Sequence, residues 1–266
     1  MRRGLGRTTS WRCVTGIEAD NDQQHCGWNH SHSAPRPNAG ASGGHQHTPV
    51  STDLAAYYAA RAAEYERVYE KAERQADLRS LRTRVAEYFL ARSVLEIACG
   101  TGYWTTEIAK TALTVTATDA SPEVLQLAEA KSSLKQPTVT LMLGDAFDLP
   151  GIPGRFDAGF AGFWWSHVPR ERMSAFLDGL HRRLGTGARM MFIDNRYVEE
   201  NSTPISRRDA AGNTYQQRTL STGLTYEVLK NFPEEWELRH HLVRAADLEI
   251  VALNYYWYVT YLVDAA

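Results

Sequence analysis

The amino-acid sequence predicts an α/β fold built on a doubly wound, mostly parallel β-sheet. Two observations favour this class. Short apolar runs that resemble buried strands alternate with helical segments between residues 94 and 194, and such alternation is typical of parallel sheets with helices on both faces. The chain has 266 residues, of which 43% are hydrophobic, enough for one core of this kind.

The first predicted strand, Val94 to Ile97, has the continuous apolar character of a central parallel strand. It contains Glu96 and leads into a turn with Ala98, Gly100 and Gly102. Glycines in such a turn let backbone N–H groups approach a ligand closely. A nicotinamide dinucleotide site would need a third glycine three residues later, but Thr105 stands there. The turn therefore argues against a dinucleotide-dependent oxidoreductase.

The next elements follow in the order of a βαβ chain. A helix is predicted from Tyr103, and the second strand, Leu113 to Thr118, ends at Asp119. Asp119 lies 23 positions after Glu96, the place of an acidic residue that holds ribose hydroxyls. Ser121 and Pro122 then predict a helix start, because Ser is a favourable N-cap and Pro suits the first turn.

Three more strands complete the predicted parallel sheet. The third strand, Val139 to Leu143, runs into a segment composed of Gly144, Asp145, Ala146 and Phe147. The fourth strand is predicted from Phe156 to Phe163, and the fifth from Ala188 to Asp194. The order of these motifs along the chain identifies the type of fold and ligand site more specifically than the glycine turn does alone.

Taken together, these motifs resemble those of the class I S-adenosylmethionine (SAM)-dependent methyltransferases, whose motif I is usually written (D/E)xGxGxG. Ala98 replaces the first glycine, a common variant in the family. The resemblance implies a Rossmann-like fold, SAM as cofactor and S-adenosylhomocysteine (SAH) as product. It implies that Asp145 accepts from the adenine amino group and that Phe147 covers the base. The implied cofactor-binding residues of the sheet are Glu96, Ala98, Gly100, Gly102, Asp119, Ala120, Asp145, Ala146 and Phe147.

Before the sheet, residues 54–69 carry apolar and aromatic side chains at helical spacing. One interpretation is that this stripe packs on the sheet as core. The pattern also resembles the N-terminal lid of small-molecule methyltransferases, in which tyrosines cover the methionine end of the cofactor and exclude water. On that resemblance Tyr58 and Tyr65 contact the cofactor, whereas Tyr57 and Arg61 contact the methyl acceptor.

The segment after the fourth strand faces the ligand edge of an open parallel sheet. We expect Trp164 and Trp165 to form walls for the acceptor, and His167 to orient or deprotonate it. Alternatively, the tryptophans fill the gap between strand and helix while His167 satisfies a helix end. The Asn/Asp-Pro-Pro-Tyr sequence of adenine and glutamine N-methyltransferases is absent here. A helix from Pro169 is expected to bury Met173, Phe176, Leu177, Leu180 and Leu184.

Residues 197–232 are predicted to form a cap over the ligand edge. Two alternating runs, Tyr215 to Leu220 and Leu224 to Leu229, predict a β-hairpin, and Tyr197 is a candidate acceptor contact. A helix from Pro233 to about Ala245 is expected to bury Trp236 and Leu242. The final segment, 248–263, is expected to contain strands and to supply core aromatics.

Residues 1–49 differ in composition from the rest of the chain. They lack apolar periodicity and are rich in Gly, Ser, Asn, His and Pro, which predicts disorder. Since a helical pattern follows Val50 closely, we interpret 50–266 as the methyltransferase domain and 1–49 as an extension that precedes it. One interpretation of this extension is that it is non-native upstream sequence. A metal site is the weaker alternative, because the candidate ligands do not show the paired spacings of known zinc sites. The candidate ligands are Cys13, His25, Cys26, His30 and His32.

Composition narrows the function classes further. The net charge of −2 provides no broad phosphate-binding surface, which disfavours a nucleic-acid substrate. No apolar run approaches about 18 residues, so no membrane span is expected. The cysteines form no disulfide framework, and a cytoplasmic protein without a metal is predicted.

The aromatic residues near the expected ligand edge favour a flat acceptor. The lid pattern and the segment Trp164 to Pro169 resemble the N-methyltransferases of toxoflavin biosynthesis, which act on an azapteridine nitrogen. N-methylation of a planar heterocycle in secondary metabolism is therefore the expected activity. The alternatives are O-methylation of another small metabolite, methylation of protein or nucleic acid, SAM binding without catalysis, and, against the pattern of the glycine turn, a dinucleotide-dependent oxidoreductase.

Overall fold

The computed structural model describes residues 54–264, all of which belong to the compact unit His47–Ala266. The extension predicted for 1–49 and the candidate metal ligands within it lie outside the described residues. Two helical segments precede the sheet. Helix α1, Leu54–Arg61, continues as a 3₁₀ helix, Ala62–Tyr69, and α2 spans Gln75–Tyr88. The helix predicted across 54–69 thus changes geometry after Arg61.

A seven-stranded sheet forms the centre of the molecule, with the strand order β3-β2-β1-β4-β5-β10-β9. Strands β1 to β5 are parallel to one another, and β10 pairs antiparallel with both β5 and β9. The strands are β1 Ser93–Ile97, β2 Thr114–Asp119, β3 Val139–Leu143, β4 Ala158–Gly162, β5 Arg189–Asn195, β9 Ala246–Ala252 and β10 Tyr256–Leu262. The chain order reverses between β1 and β4, where ligands bind in sheets of this kind. The predicted doubly wound α/β class is confirmed.

Helices cover both faces of this sheet, and a separate apolar cluster lies under each face. On one face α2 and α3, Tyr103–Ile108, pack against β1 and β4. On the other face lies α5, Met173–Leu184, which buries the five apolar residues expected from the sequence. A 3₁₀ turn, Arg170–Arg172, precedes α5, so the α-helix begins four residues after Pro169. Helix α4, Pro122–Ala130, follows β2.

A second, three-stranded sheet follows β5 and has the order β6-β7-β8. Strands β7, Thr214–Thr219, and β8, Thr225–Leu229, form the antiparallel hairpin expected from the sequence. The third strand, β6, Arg207–Arg208, pairs with β7 and was not predicted. We refer to β6, β7 and β8 as the cap sheet.

Helix α6, Glu235–His241, is shorter than predicted and presents a different face. Leu238 and Leu242 are buried, but Trp236 is 66% exposed, so its expected burial is wrong. Leu238 and Leu242 are four residues apart and share one face, whereas a residue two positions before Leu238 lies on the opposite side. A capping box between Glu234 and Glu237 sets the start of the helix and thereby this orientation.

Candidate active site

Two cavities meet at the carboxyl ends of β1 and β4. The turn cavity, of about 280 Å³, lies against the glycine turn after β1 and the segments after β2 and β3. The cap cavity, of about 340 Å³, lies between the cap sheet and the helical segment 54–74. Tyr58, Phe163 and His167 line both cavities. These three side chains therefore form a wall that the two cavities share.

Seven of the nine motif residues predicted to bind cofactor line the turn cavity: Ala98, Gly100, Asp119, Ala120, Asp145, Ala146 and Phe147. Glu96 and Gly102 do not line it. Gly102 has a φ of 78°, and a Cβ there would lie 2.6 Å from Leu134 Cδ1. Gly102 therefore shapes the turn by permitting a left-handed backbone in a crowded position.

Asp119 connects the glycine turn to the end of β2. Its carboxylate accepts a hydrogen bond from the Gly100 backbone N–H at 2.8 Å and another from the Ser121 N–H at 2.9 Å. Burial raises the pKa of Asp119 above its ordinary value. Each carboxylate oxygen has a further lone pair, so Asp119 can hold the turn and still accept from a ligand hydroxyl.

Glu96 lies beneath the glycine turn, with 1% of its surface exposed. Its Oε2 atom has no hydrogen-bond partner among the described residues. Burial raises the pKa of Glu96 to about 8. The carboxyl thus belongs to the buried part of β1 and does not form a wall of the turn cavity.

The far wall of the turn cavity is aromatic. Asp145 accepts from the Phe147 backbone N–H at 2.9 Å, which holds the loop after β3 in place. The Phe147 ring lies 5.9 Å from the Trp164 ring, and the Arg172 guanidinium lies 3.9 Å from the Phe147 ring centroid. Trp164 lines the turn cavity and not the cap cavity, and its contact with the acceptor stays a prediction.

Two other residues predicted to bind the acceptor lie outside both cavities. Trp165 is 2% exposed and packs edge-on against Phe192 and Trp257 in the core. Trp165 thus fills space in the core, as in the alternative interpretation of the two tryptophans, whereas the preceding Trp164 lines the turn cavity. Tyr197 is 42% exposed and packs against Phe232. The side chain of Tyr65 lies outside the described part of the chain.

The wall shared by the two cavities contains a hydrogen-bonded pair. The Tyr58 hydroxyl lies 2.6 Å from His167 Nε2, and His167 Nδ1 lies 2.6 Å from the Leu229 carbonyl oxygen. Since a carbonyl can only accept, Nδ1 carries the proton and Nε2 accepts from Tyr58. Burial, reinforced by the nearby Lys230 cation, lowers the pKa of His167 to about 3. The imidazole is therefore neutral and orients the Tyr58 hydroxyl.

A buried ion pair supports this wall from the side of the cap. Lys230 Nζ lies 2.9 Å from Asp194 Oδ1 and 2.6 Å from Ser166 Oγ, and Asp194 also accepts from the Ser166 backbone N–H. Burial lowers the pKa of Lys230. Although burial alone raises the pKa of Asp194, the adjacent Lys230 keeps it below its ordinary value. The pair connects β5, the loop after β4 and the end of β8.

The cap cavity contains residues that the sequence interpretation missed. Tyr57 and Arg61, predicted acceptor contacts, line this cavity, and so do Arg218 and Lys230, which were not predicted. Alternation along β7 places Gln216 and Arg218 on the same face, so the predicted hairpin contained the signal for Arg218. Nothing in the local sequence distinguishes Lys230 from a surface lysine.

Comparison with known proteins relates this chain to methyltransferases. Residues 94–187 match a family described as a methyltransferase domain. A demethylmenaquinone methyltransferase of Lactiplantibacillus plantarum is 33% identical over 112 residues, which cover 40% of this chain and 46% of that protein. An uncharacterized methyltransferase of Synechocystis sp. is 29% identical over 103 residues, covering 39% and 47%.

The structure is also similar to that of DhpI, solved as a complex with SAH. The two share 26% identity with a TM-score of 0.65, over 80% of this chain and 96% of DhpI. A complex of DhpI with SAM and HEP gives 27% identity and a TM-score of 0.63, over 77% of this chain and 94% of DhpI. In the two curated relatives, by contrast, the matched segment spans about half the length of each protein.

Among residues 54–264 no helix is both long and apolar enough to cross a membrane.

Proposed function

We propose, from the match of residues 94–187 to a methyltransferase-domain family and from the similarity to DhpI bound to SAH or SAM, that this protein transfers a methyl group from SAM to a small-molecule acceptor. One observation carries the proposal. The turn cavity and the cap cavity share a wall formed by Tyr58, Phe163 and His167. Two ligands bound side by side would meet at that wall, as a methyl donor and a methyl acceptor must.

In this proposal SAM occupies the turn cavity. Asp119 holds the ribose hydroxyls, Asp145 and Phe147 recognise the adenine, and Tyr58 covers the methionine end. Gly100 permits the close approach of the ligand to the backbone, while Glu96 and Gly102 maintain the turn. These roles are consistent with the positions of the side chains around the cavity.

Methyl transfer is an in-line displacement in which the acceptor atom bonds to carbon as the carbon–sulfur bond breaks. The sulfonium becomes a neutral thioether, and any proton on the acceptor atom leaves. Holding two reactants in line can contribute roughly 7–11 kcal/mol toward the barrier. With a pKa of about 3, His167 is a weak base. We therefore assign His167 a positioning role through Tyr58, in preference to deprotonation of the acceptor.

N-methylation of a planar heterocycle, with a toxoflavin-type azapteridine as the first compound to test, is a second, finer candidate. The ring-bearing side chains around the cap cavity favour it: Tyr57, Tyr58, Phe163, Phe232 and Tyr256. The positions of Trp164 and Trp165 weaken the sequence argument for flat walls. O-methylation of another metabolite fits the same cavity, whereas the net charge of −2 still disfavours nucleic acid. A cytoplasmic site of action remains part of the proposal.

The test is calorimetric titration with SAH, followed by turnover with labelled SAM. The acceptors are azapteridine, pyrimidine, catechol, fatty-acid and small-carboxylate compounds, assayed side by side. SAH should bind, and one class should release SAH from SAM. Failure to bind SAH would refute the cofactor assignment, and tight binding without turnover would favour a non-catalytic SAM-binding protein. We also propose, from composition alone, that a chain beginning at Val50 retains this activity.

A further inference from the structure

The cap cavity concentrates positive charge. Among the described residues that line it are five cationic side chains and one carboxylate, that of Glu64: the cations are Arg61, Lys71, Arg74, Arg218 and Lys230. The whole chain has a net charge of −2, so this excess is local and does not reflect composition. The ion pair between Asp194 and Lys230 balances the charge of one of these five cations.

Two of these cations are held together by a buried phenol. Tyr57 is 1% exposed, and its hydroxyl oxygen accepts from Arg61 Nη1 at 3.0 Å and from Arg218 Nη1 at 3.5 Å. Arg218 also donates to Gln216 Oε1 at 2.7 Å. The Tyr57 ring lies 5.0 Å from the Tyr58 ring. Two positioned guanidinium groups thus lie one ring away from the wall shared with the turn cavity.

The cations of the cap cavity repel one another. Burial is the main reason that the pKa of Lys230 is lowered, but Arg218 and Arg61 each lower it further. Arg218 also contributes to the lowered pKa of His167. Repulsion between like charges in a partly enclosed cavity destabilises the folded protein, and attraction between these cations and a bound anion would be stabilising.

We propose that the acceptor is a small anion whose carboxylate or phosphoryl group is bound by Arg61 and Arg218. Guanidinium groups match both kinds of anion through paired, charge-assisted hydrogen bonds. Binding there directs the rest of the acceptor toward Tyr58 and His167. The inference rests on the proposed function, since it specifies which acceptors the cap cavity takes.

The experiment compares three ligands of similar size that differ in charge: benzoate, phenyl phosphate and neutral benzamide. Each is titrated calorimetrically into protein saturated with SAH. At least one anion should bind about tenfold more tightly than benzamide, and the better anion identifies a carboxylate or a phosphoryl acceptor. Increasing salt from about 50 mM to about 500 mM should weaken anion binding and leave benzamide unaffected.

Arg218→Gln should weaken binding of the preferred anion at least tenfold without changing SAH affinity. Arg208→Gln is the matched control, because Arg208 lies in the same cap sheet but does not line the cap cavity. Thermal melting shows whether each variant folds. The salt dependence of anion binding is measured on the unsubstituted protein, so it tests the inference even where a variant does not fold. Equal affinity for benzamide and both anions, or an unchanged Arg218→Gln, would overturn the inference. Failure of SAH to bind at all would instead refute the proposed function.

Discussion

Glu96→Gln should remove the loss of folding stability with rising pH that Glu96 contributes between about pH 5 and 8. Glu96 is buried beneath the glycine turn, and burial raises its pKa from 4.5 to about 8. Between these two values the folded state keeps a proton that the unfolded state has lost. The stability that this proton contributes is complete below pH 4.5 and is lost as the pH rises toward 8. Gln has the shape of the protonated acid and does not titrate.

The expected magnitude follows from the linkage between protons and folding. One additional proton bound by the folded state corresponds to about 1.4 kcal/mol of stability per pH unit. From about pH 5.5 to about pH 7.5, the unsubstituted protein should therefore lose roughly 2–3 kcal/mol relative to Glu96→Gln.

Urea unfolding of both proteins at several pH values measures this difference. Glu123→Gln is the control, since the pKa of the exposed Glu123 is lowered by its hydrogen bond with Ser121 and the carboxylate stays ionised across the range. The control should follow the unsubstituted protein. Parallel stability profiles for the unsubstituted protein and Glu96→Gln would refute the argument that Glu96 is buried in its protonated form.

Three further outcomes concern the site. Asp119→Ala should weaken SAM binding by at least about tenfold in calorimetry, as expected when a charged acceptor for two hydroxyls is lost; unchanged affinity would place the ribose elsewhere. Tyr58→Phe should reduce kcat by about tenfold or more while leaving SAM affinity nearly unchanged. The dependence of kcat on pH should show no ionisation of His167 between pH 5 and 8, since burial lowers the pKa of His167 to about 3. A change in kcat centred near pH 6.5 that disappears in His167→Asn would contradict this. Trp165→Ala should cost about 3–5 kcal/mol of stability in urea unfolding without altering the SAM affinity of the folded fraction, and a selective loss of acceptor binding would restore Trp165 to the site.

The succession of strands and helices along the chain could be predicted because each element leaves a local signal. The apolar run before the glycine turn, the acidic residue at the end of β2 and the five periodic residues of α5 all act over short sequence distances. A one-residue error in the predicted end of a strand does not change the predicted position of the glycine turn, because the glycines themselves identify the turn. Most of the turn cavity was therefore predictable from the sequence.

The sequence alone did not distinguish among residues that share a segment. Trp164 and Trp165 are adjacent, yet one lines the turn cavity and the other packs in the core. Trp236 satisfied a helical pattern but lies on the exposed side of α6. Which face of a short element is buried depends on where that element docks, and docking is decided by partners distant in sequence.

The sequence by itself determined the fold class, the succession of the five parallel strands along the chain and the segments that line the turn cavity, because these depend on periodicity and on turn chemistry. Only the tertiary structure decided the chemistry of the cap cavity. Tyr58 meets His167 across 109 positions, and Lys230 meets Asp194 across 36. Arg218 approaches Tyr57 across 161 positions. Such contacts form when separate elements fold against one another, and no local pattern of residues specifies them.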